Sequence, residues 1–163
     1  MIVLGIDPGI AITGYAVLTG DESQMNPLCY GSIQTPSTQS ISERLATIYS
    51  ELNRIILEYH PVEIAVEELF FSRNVTTALI VGQARGVILL SAQQQGLRLT
   101  EYKPMEVKLA VTGYGAAAKK QVQQMVKILL GLTEIPKPDD TADALAIAIC
   151  HMQSRKLKNL GVR

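Results

Sequence analysis

The chain opens with a short apolar run, Ile2, Val3, Leu4 and Ile6, that stops at Asp7-Pro8-Gly9. A run of that length ended by a Pro-Gly break predicts a buried strand over residues 2–7. Thr13 to Thr19 and Cys29 to Thr35 are two more short β-rich runs, the second preceded by a Gly/Asp/Ser/Asn/Pro loop. Three adjacent strands of this kind predict an antiparallel meander. The period then lengthens. Ser40-Ile-Ser-Glu43 has capping-box spacing, and Ile41, Leu45, Ile48, Leu52, Ile55 and Tyr59 recur at helical intervals as far as Pro61. Glu63 to Leu69 predicts a fourth strand, a long helix runs from near Asn74 to the stop signal at Gly96, and Leu97 to Tyr102 predicts a fifth strand. A short helix from near Pro104, the loop Gly113-Tyr114-Gly115, a helix from about Lys119 to Leu130, a loop over 131–138 and a last helix from about Asp140 to Arg155 complete the order. A meander followed by βα units predicts an α/β fold, one mixed sheet with helices on both faces.

Length and composition narrow the class. The 163 residues predict one domain over 1–155 with a frayed tail over 156–163. A chain 47% hydrophobic and 18% charged is not generally disordered. Its apolar stretches all break before the roughly 18 residues that a bilayer span needs, so no membrane association is expected. The opening run has no basic region before it and reads as a strand, not a signal peptide. Cys29 and Cys150 form no CxxC pair and read as small buried hydrophobes, a usage suited to a reducing cytoplasm. The formal net charge of zero hides a separation of sign: residues 1–70 sum to −7, residues 71–130 to +6 and residues 131–163 to +1. That asymmetry allows a basic face beside an acidic site, although solvated helix faces produce the same count.

The acids supply the chemistry. Along the first strand Val3, Gly5 and Asp7 share one face and Ile2, Leu4 and Ile6 the other, so Asp7 emerges at the strand's end. The run IAVEELF places Glu67 and Glu68 at the end of the fourth strand. If the two strands are parallel neighbours, Asp7 lies beside one of these glutamates, at the end of the sheet that ligand sites favour. In PDDTADALAIAI, Asp140 and Asp143 are three apart and project from one face of a helix's first turn. Acids there are also ordinary capping. Converging carboxylates repel one another unless hard cations sit between them, and an all-oxygen set suits Mg²⁺ or Mn²⁺, whereas zinc would want His or Cys. His60 and His151 match no triad or zinc spacing. Two cations about 4 Å apart suit phosphoryl-group chemistry. No Walker-type loop occurs, which disfavours a P-loop nucleotidase.

GIDPGIAITGYAVL, AVEELFFSRN, GQARGV at 82–87 and DDTADALAIAICH together, in that order and spacing, resemble the RuvC family of bacterial crossover (Holliday) junction endodeoxyribonucleases, from Met1 to about His151. The resemblance implies a ribonuclease H-like mixed sheet of five strands, the three-strand antiparallel meander plus two parallel strands. It implies a homodimer that acts on four-way junction DNA in recombination and repair, with two divalent cations per active site. It assigns the acids to Asp7, Glu67, Asp140 and Asp143, choosing Glu67 over Glu68. Some relatives carry histidine at the position of Asp140, where this chain keeps the acid. Lys108 and Lys119 match family lysines near the DNA and the site, Lys119 helping to neutralise developing charge. Phe70 matches an aromatic at the site's edge, with Phe71 beside it. Arg73, Arg85, Lys103 and Lys120 are further candidates for phosphate contacts. The resemblance also implies contact with the branch-migration proteins RuvA and RuvB. The dimer interface is expected on the helix at about 74–95, through Leu79, Ile80, Val87, Leu89 and Leu90, unless these face the sheet. A nuclease of the same fold with another substrate, an actin-like or sugar-kinase ATPase, and a non-catalytic junction binder are the alternative readings.

Overall fold

The computed structural model describes residues 1–68 and 75–159. Its elements are β1 (Ile2–Asp7), β2 (Ile12–Gly20), β3 (Met25–Gln34), α1 (Ile41–Tyr59), β4 (Glu63–Glu67), α2 (Val75–Gln94), β5 (Arg98–Tyr102), α3 (Pro104–Thr112), α4 (Lys119–Leu129) and α5 (Asp139–Asn159). The strands form one sheet in the order β3-β2-β1-β4-β5. β1, β2 and β3 pair antiparallel, while β1, β4 and β5 run parallel. This is the expected mixed sheet, a meander carrying two parallel strands.

β4 stops at Glu67, short of the expected Leu69, and two other boundaries move by four residues. β3 begins at Met25 instead of Cys29, running through Pro27, which the sequence assigns to a loop. Pro27 sits on the sheet's outermost strand opposite Leu18, where the ladder shifts register between Val17 and Leu18. An edge strand with a bulge tolerates a residue that has no N–H to donate. α5 continues past Arg155 to Asn159, so residues 156–159, expected in a frayed tail, are helical.

Alternation along the strands feeds a core on each face. Leu4, Ile6, Ile64 and Val66 point to α1 and α2, where Ile48, Leu52, Ile55 and Ile88 are buried. α1 starts from the expected capping box: Ser40 Oγ accepts from the Glu43 N–H, and the Glu43 carboxylate accepts from the Ser40 N–H at 2.8 Å. On the opposite face Val3, Ala65 and Tyr102 meet α3, α4 and α5. α5 is the central helix of that layer, buried almost without interruption from Thr141 to Met152.

Two glycines let α5 touch the sheet. A Cβ on Gly5 would lie 2.5 Å from the Ala144 carbonyl oxygen and 2.8 Å from the Ala148 Cβ. One on Gly14 would lie 1.9 Å from the Asp140 carbonyl oxygen. Backbone therefore meets backbone where the helix crosses β1 and β2, and the facing residues are kept small. Farther along α5, His151 is buried between Tyr102 and Glu63. Its Nδ1 is 3.0 Å from the Tyr102 hydroxyl, and its Nε2 is 2.6 Å from a Glu63 carboxylate oxygen. A carboxylate only accepts, which places the ring proton on Nε2 and leaves Nδ1 to accept from the tyrosine. The helix is thus tied to β4 and β5 by polar bonds inside an apolar layer.

Two stability outcomes follow from these contacts. Gly14→Ala forces α5 off β2 and is expected to cost about 1–3 kcal/mol in urea denaturation; a variant with unchanged stability would show that the helix does not rest there. His151→Ala removes the hydrogen-bond partner of one Glu63 carboxylate oxygen, while Arg98 and Arg155 stay 3.8 Å from the other, and is expected to cost about 1–3 kcal/mol by the same measurement.

Candidate active site

β1 and β4 are parallel neighbours in the register Gly5↔Ala65, Ile6↔Val66, so Asp7 and Glu67 come next in line at the same end of the sheet. Both side chains alternate onto the α5 face, Asp7 after Gly5 and Glu67 after Ala65. Glu68 falls beyond the strand, and its N–H donates to the Tyr102 carbonyl at 2.8 Å. Asp7 pairs with Gly14 across the meander, and Gly14 is the residue against which the Asp140 backbone rests. The first turns of α5 therefore carry Asp140 and Asp143 to Asp7, with the helix N-terminus partly offsetting their charge.

The electrostatics record this crowding. The Asp7 carboxyl is pushed up to about 8 by burial first, then by the charges of Glu67, Asp143 and Asp140, with Lys119 pulling the other way. Glu67 is pushed up to about 7 by burial and then by Asp143, against Lys108 and Lys119. Burial raises Asp143 too, opposed by its bond to Lys119 and raised further by Asp140 and Asp139. Lys119, at the start of α4, holds its Nζ 2.9 Å from Asp143 and 3.4 Å from Asp139. Burial works to lower the Lys119 pKa, but those two carboxylates together raise it. Glu67, Lys108, Lys119 and Asp143 line a cavity of about 220 Å³ walled by Pro104, Val107, Val122 and Ala146.

A group of carboxyls raised first by burial and then by one another's charge, Asp7 to about 8 and Glu67 to about 7, lacks positive charge. The donors are all oxygen, with no His or Cys among them, so hard divalent cations suit the set better than zinc. The fit is one of charge and donor type. Among the described residues, no three His, Cys, Asp or Glu side chains already close round a common ion position. Lys119 supplies the nearest counter-charge.

The other candidates divide. Lys108 lines the cleft, Lys103 is exposed at the N-cap of α3 and Lys120 is exposed in the first turn of α4. Arg85, expected to contact phosphate, forms an ion pair with Glu101 between α2 and β5 and is 20% exposed. Phe70, Phe71 and Arg73 lie outside the described residues. Sequence reasoning missed Asp139, whose carboxylate accepts from Gln123 Nε2 at 3.1 Å and faces Lys119. The doubled acid of PDD was its only signal.

A meander continued by parallel strands, with carboxylates at the ends of the two central strands and on the helix across them, defines a ribonuclease H-like fold. The family model of crossover junction endodeoxyribonuclease RuvC matches residues 3–151. The crossover junction endodeoxyribonuclease RuvC of Heliobacterium modesticaldum is 60% identical over 150 residues, 92% of this chain and 93% of that protein. The one from Alkaliphilus oremlandii is 59% identical over 151 residues, 93% and 92% of the two chains. Thermus thermophilus RuvC in complex with Holliday junction substrate superposes with a TM-score of 0.91 at 37% identity, covering 99% of this chain and 97% of that one. The chain belongs to the RuvC family of crossover junction endodeoxyribonucleases.

The raised carboxyls fix the sign of a pH effect. An unfolded aspartate releases its proton near the ordinary 3.8, whereas folded Asp7 holds it to about 8. Between those values the folded chain binds more protons than the unfolded one, so stability falls as pH rises through the window. Metal-free protein is therefore expected to melt at lower temperature at pH 8 than at pH 5.5. The difference should shrink in Asp7→Asn, which thermal denaturation at the two pH values checks. An equal difference in the variant would remove Asp7 as its source.

Proposed function

We propose that this chain cuts four-way DNA junctions by metal-dependent phosphodiester hydrolysis, nicking two strands of like polarity symmetrically about the branch. The observation that carries the reading is the meeting of Asp7, Glu67, Asp140 and Asp143 at one end of the sheet, beside a cleft edged by Lys108 and Lys119. Two Mg²⁺ or Mn²⁺ ions held among these acids would supply activation of a water and stabilisation of the departing oxygen. Asp7, whose charge is felt alongside those of the other three acids, would hold the ions together with Glu67, Asp140 and Asp143. Lys119 is placed to offset charge that builds on the phosphate, since it already reaches Asp143. Cleavage in this way leaves a 5′-phosphate and a 3′-hydroxyl that a ligase can seal.

Symmetric cutting requires two sites related by a dyad, which a C₂ homodimer provides. α2 supports such a pairing. Its Val87 and Leu89 pack toward the sheet, whereas Leu79 and Leu90 on its outer side are 64% and 53% exposed. Phe70 and Phe71, just after β4, are the proposed holders of unpaired bases, with Arg73, Lys103 and Lys120 as phosphate contacts. Association with RuvA and RuvB and a cytoplasmic location belong to the same reading. No helix of the described residues is long and apolar enough to cross a membrane.

Asp7→Asn should lower cleavage of a synthetic four-way junction by about 100-fold or more while leaving junction binding intact or tighter, because an anion near the phosphate is removed. Near-native cleavage by this variant, with both nick positions unchanged, would place the chemistry elsewhere. Junction affinity should fall linearly on a log–log plot against salt, and Lys108→Ala should flatten that slope by about 1, as loss of one phosphate contact predicts.

A further inference from the structure

Beside the acidic cleft lies a second, larger cavity that the catalytic reading does not use. It measures about 460 Å³ and is lined by Tyr114, Ala117, Lys120, Gln121, Gln124 and Met125. Its floor is apolar, since Ala117 is buried and Met125 packs against the core. Tyr114 stands at the wall with 63% of its surface exposed, while its backbone is held. The Tyr114 N–H donates to Thr112 Oγ1 at 3.1 Å, and that hydroxyl donates to the Lys108 carbonyl at 2.8 Å. Gln121 Oε1 accepts from the Ala118 N–H at 2.8 Å, which fixes the amide of a residue that lines the cavity. Gln124 and Lys120 lie one turn apart on the same side of α4.

We propose that this pocket holds one unpaired nucleotide of the strand that enters the acidic cleft; the inference rests on the junction-cutting reading. A flat aromatic wall and an apolar floor suit a base, two amides suit its hydrogen-bonding edge, and Lys120 suits the attached phosphate. The volume is that of a small-ligand site. Continuity selects DNA as the occupant. Lys120 follows Lys119 in sequence, with Cα atoms about 3.8 Å apart, and Lys119 already reaches the carboxylates of the cleft. Lys108, whose carbonyl anchors the Tyr114 loop, lines that cleft as well. One strand can therefore run from the pocket to the acids along a path of lysines, and residues 71–130, which include all of these lysines, carry a net charge of +6. Base stacking here makes Tyr114 a residue that holds the strand near the cut, with the Gln121 amide reading the edge of the base.

The test uses the whole chain without divalent cations and a four-way junction carrying 2-aminopurine at each branch-flanking nucleotide in turn. Tyr114→Leu should weaken junction binding about 10-fold while Tyr114→Phe stays within about two-fold, the difference expected for loss of one base stacked on a ring. At one probe position the fluorescence of the wild-type complex should differ from that of Tyr114→Leu. Gln121→Ala should change which base is preferred at that position and leave linear duplex binding unaltered. The exposed Tyr114 ring is not part of the core, so its two variants fold, and far-UV circular dichroism checks that Gln121→Ala, which loses one bond at the start of α4, keeps the helix. Equal affinity of Tyr114→Leu and wild type, or coincident fluorescence at every position, overturns the proposal and leaves a peptide as the better occupant. A wild-type chain that fails to bind the junction overturns both this inference and the function on which it rests.

Discussion

The architecture turns on one contact, the backbone of α5 resting on β1 and β2 at Gly5 and Gly14. Side chains normally keep a helix at a distance set by their bulk. Here a Cβ on either glycine would collide with the helix carbonyls of Ala144 or Asp140, so the two surfaces have been cleared to let main chain meet main chain. Asp7 is the strand partner of Gly14, and Asp140 is the helix residue above it. A short path through backbone alone therefore fixes the separation between the strand acid and the helix acids. Loops and flexible side chains contribute little to that geometry, which is what a site needing placement to a fraction of an ångström requires.

Bringing acids together in a half-buried cleft opposes folding. Carboxyls raised to about 8 and about 7 are charges the fold would rather not hold, and the stability must come from elsewhere in the molecule. Part of it resides in the same helix. From Ala144 to Met152 α5 is buried, and His151 binds it to Glu63 of β4 and Tyr102 of β5. One end of the helix is locked by packing and buried hydrogen bonds, and the other carries groups that repel. Such division of labour along one element is what a stability–function trade-off looks like when it is resolved locally.

What the sequence disclosed follows the range of the interactions involved. Period-two and period-3.6 patterns fixed the identity of every element, and the capping box at Ser40 marked the start of α1 to the residue. Alternation alone put Asp7 on the face of Val3 and Gly5, and the fold shows that α5 covers that face. Contacts between distant segments were harder to read. Pro27 argued for a loop, because nothing local says that β3 is an edge strand whose bulge accepts a proline. His151 matched no spacing, since its partners Tyr102 and Glu63 come from two other strands. Arg85 looked like a surface cation until the fold supplied Glu101. The glycines at 5 and 14, facing the alternating alanines of α5, were visible as small residues, but only the sheet order shows that they face one another.

Charge separation along the chain takes its meaning from this fold. An acidic amino-terminal portion and a basic middle would, as solvated surfaces, cancel to the observed neutrality. Folded together, they set Lys108, Lys119 and Lys120 on α3 and α4 against a carboxylate cluster on β1, β4 and α5. A phosphate approaching the acids alone would be repelled, and one approaching the lysines alone would bind without being positioned. On the proposed reading, a backbone that lay along the lysines and reached past them would meet the carboxylates once cations made that step favourable. A chain with no net charge gains little from long-range attraction to a polyanion, so the local field along such a path would have to do the selecting. That path would favour a substrate whose strands diverge enough to enter the cleft over a regular duplex.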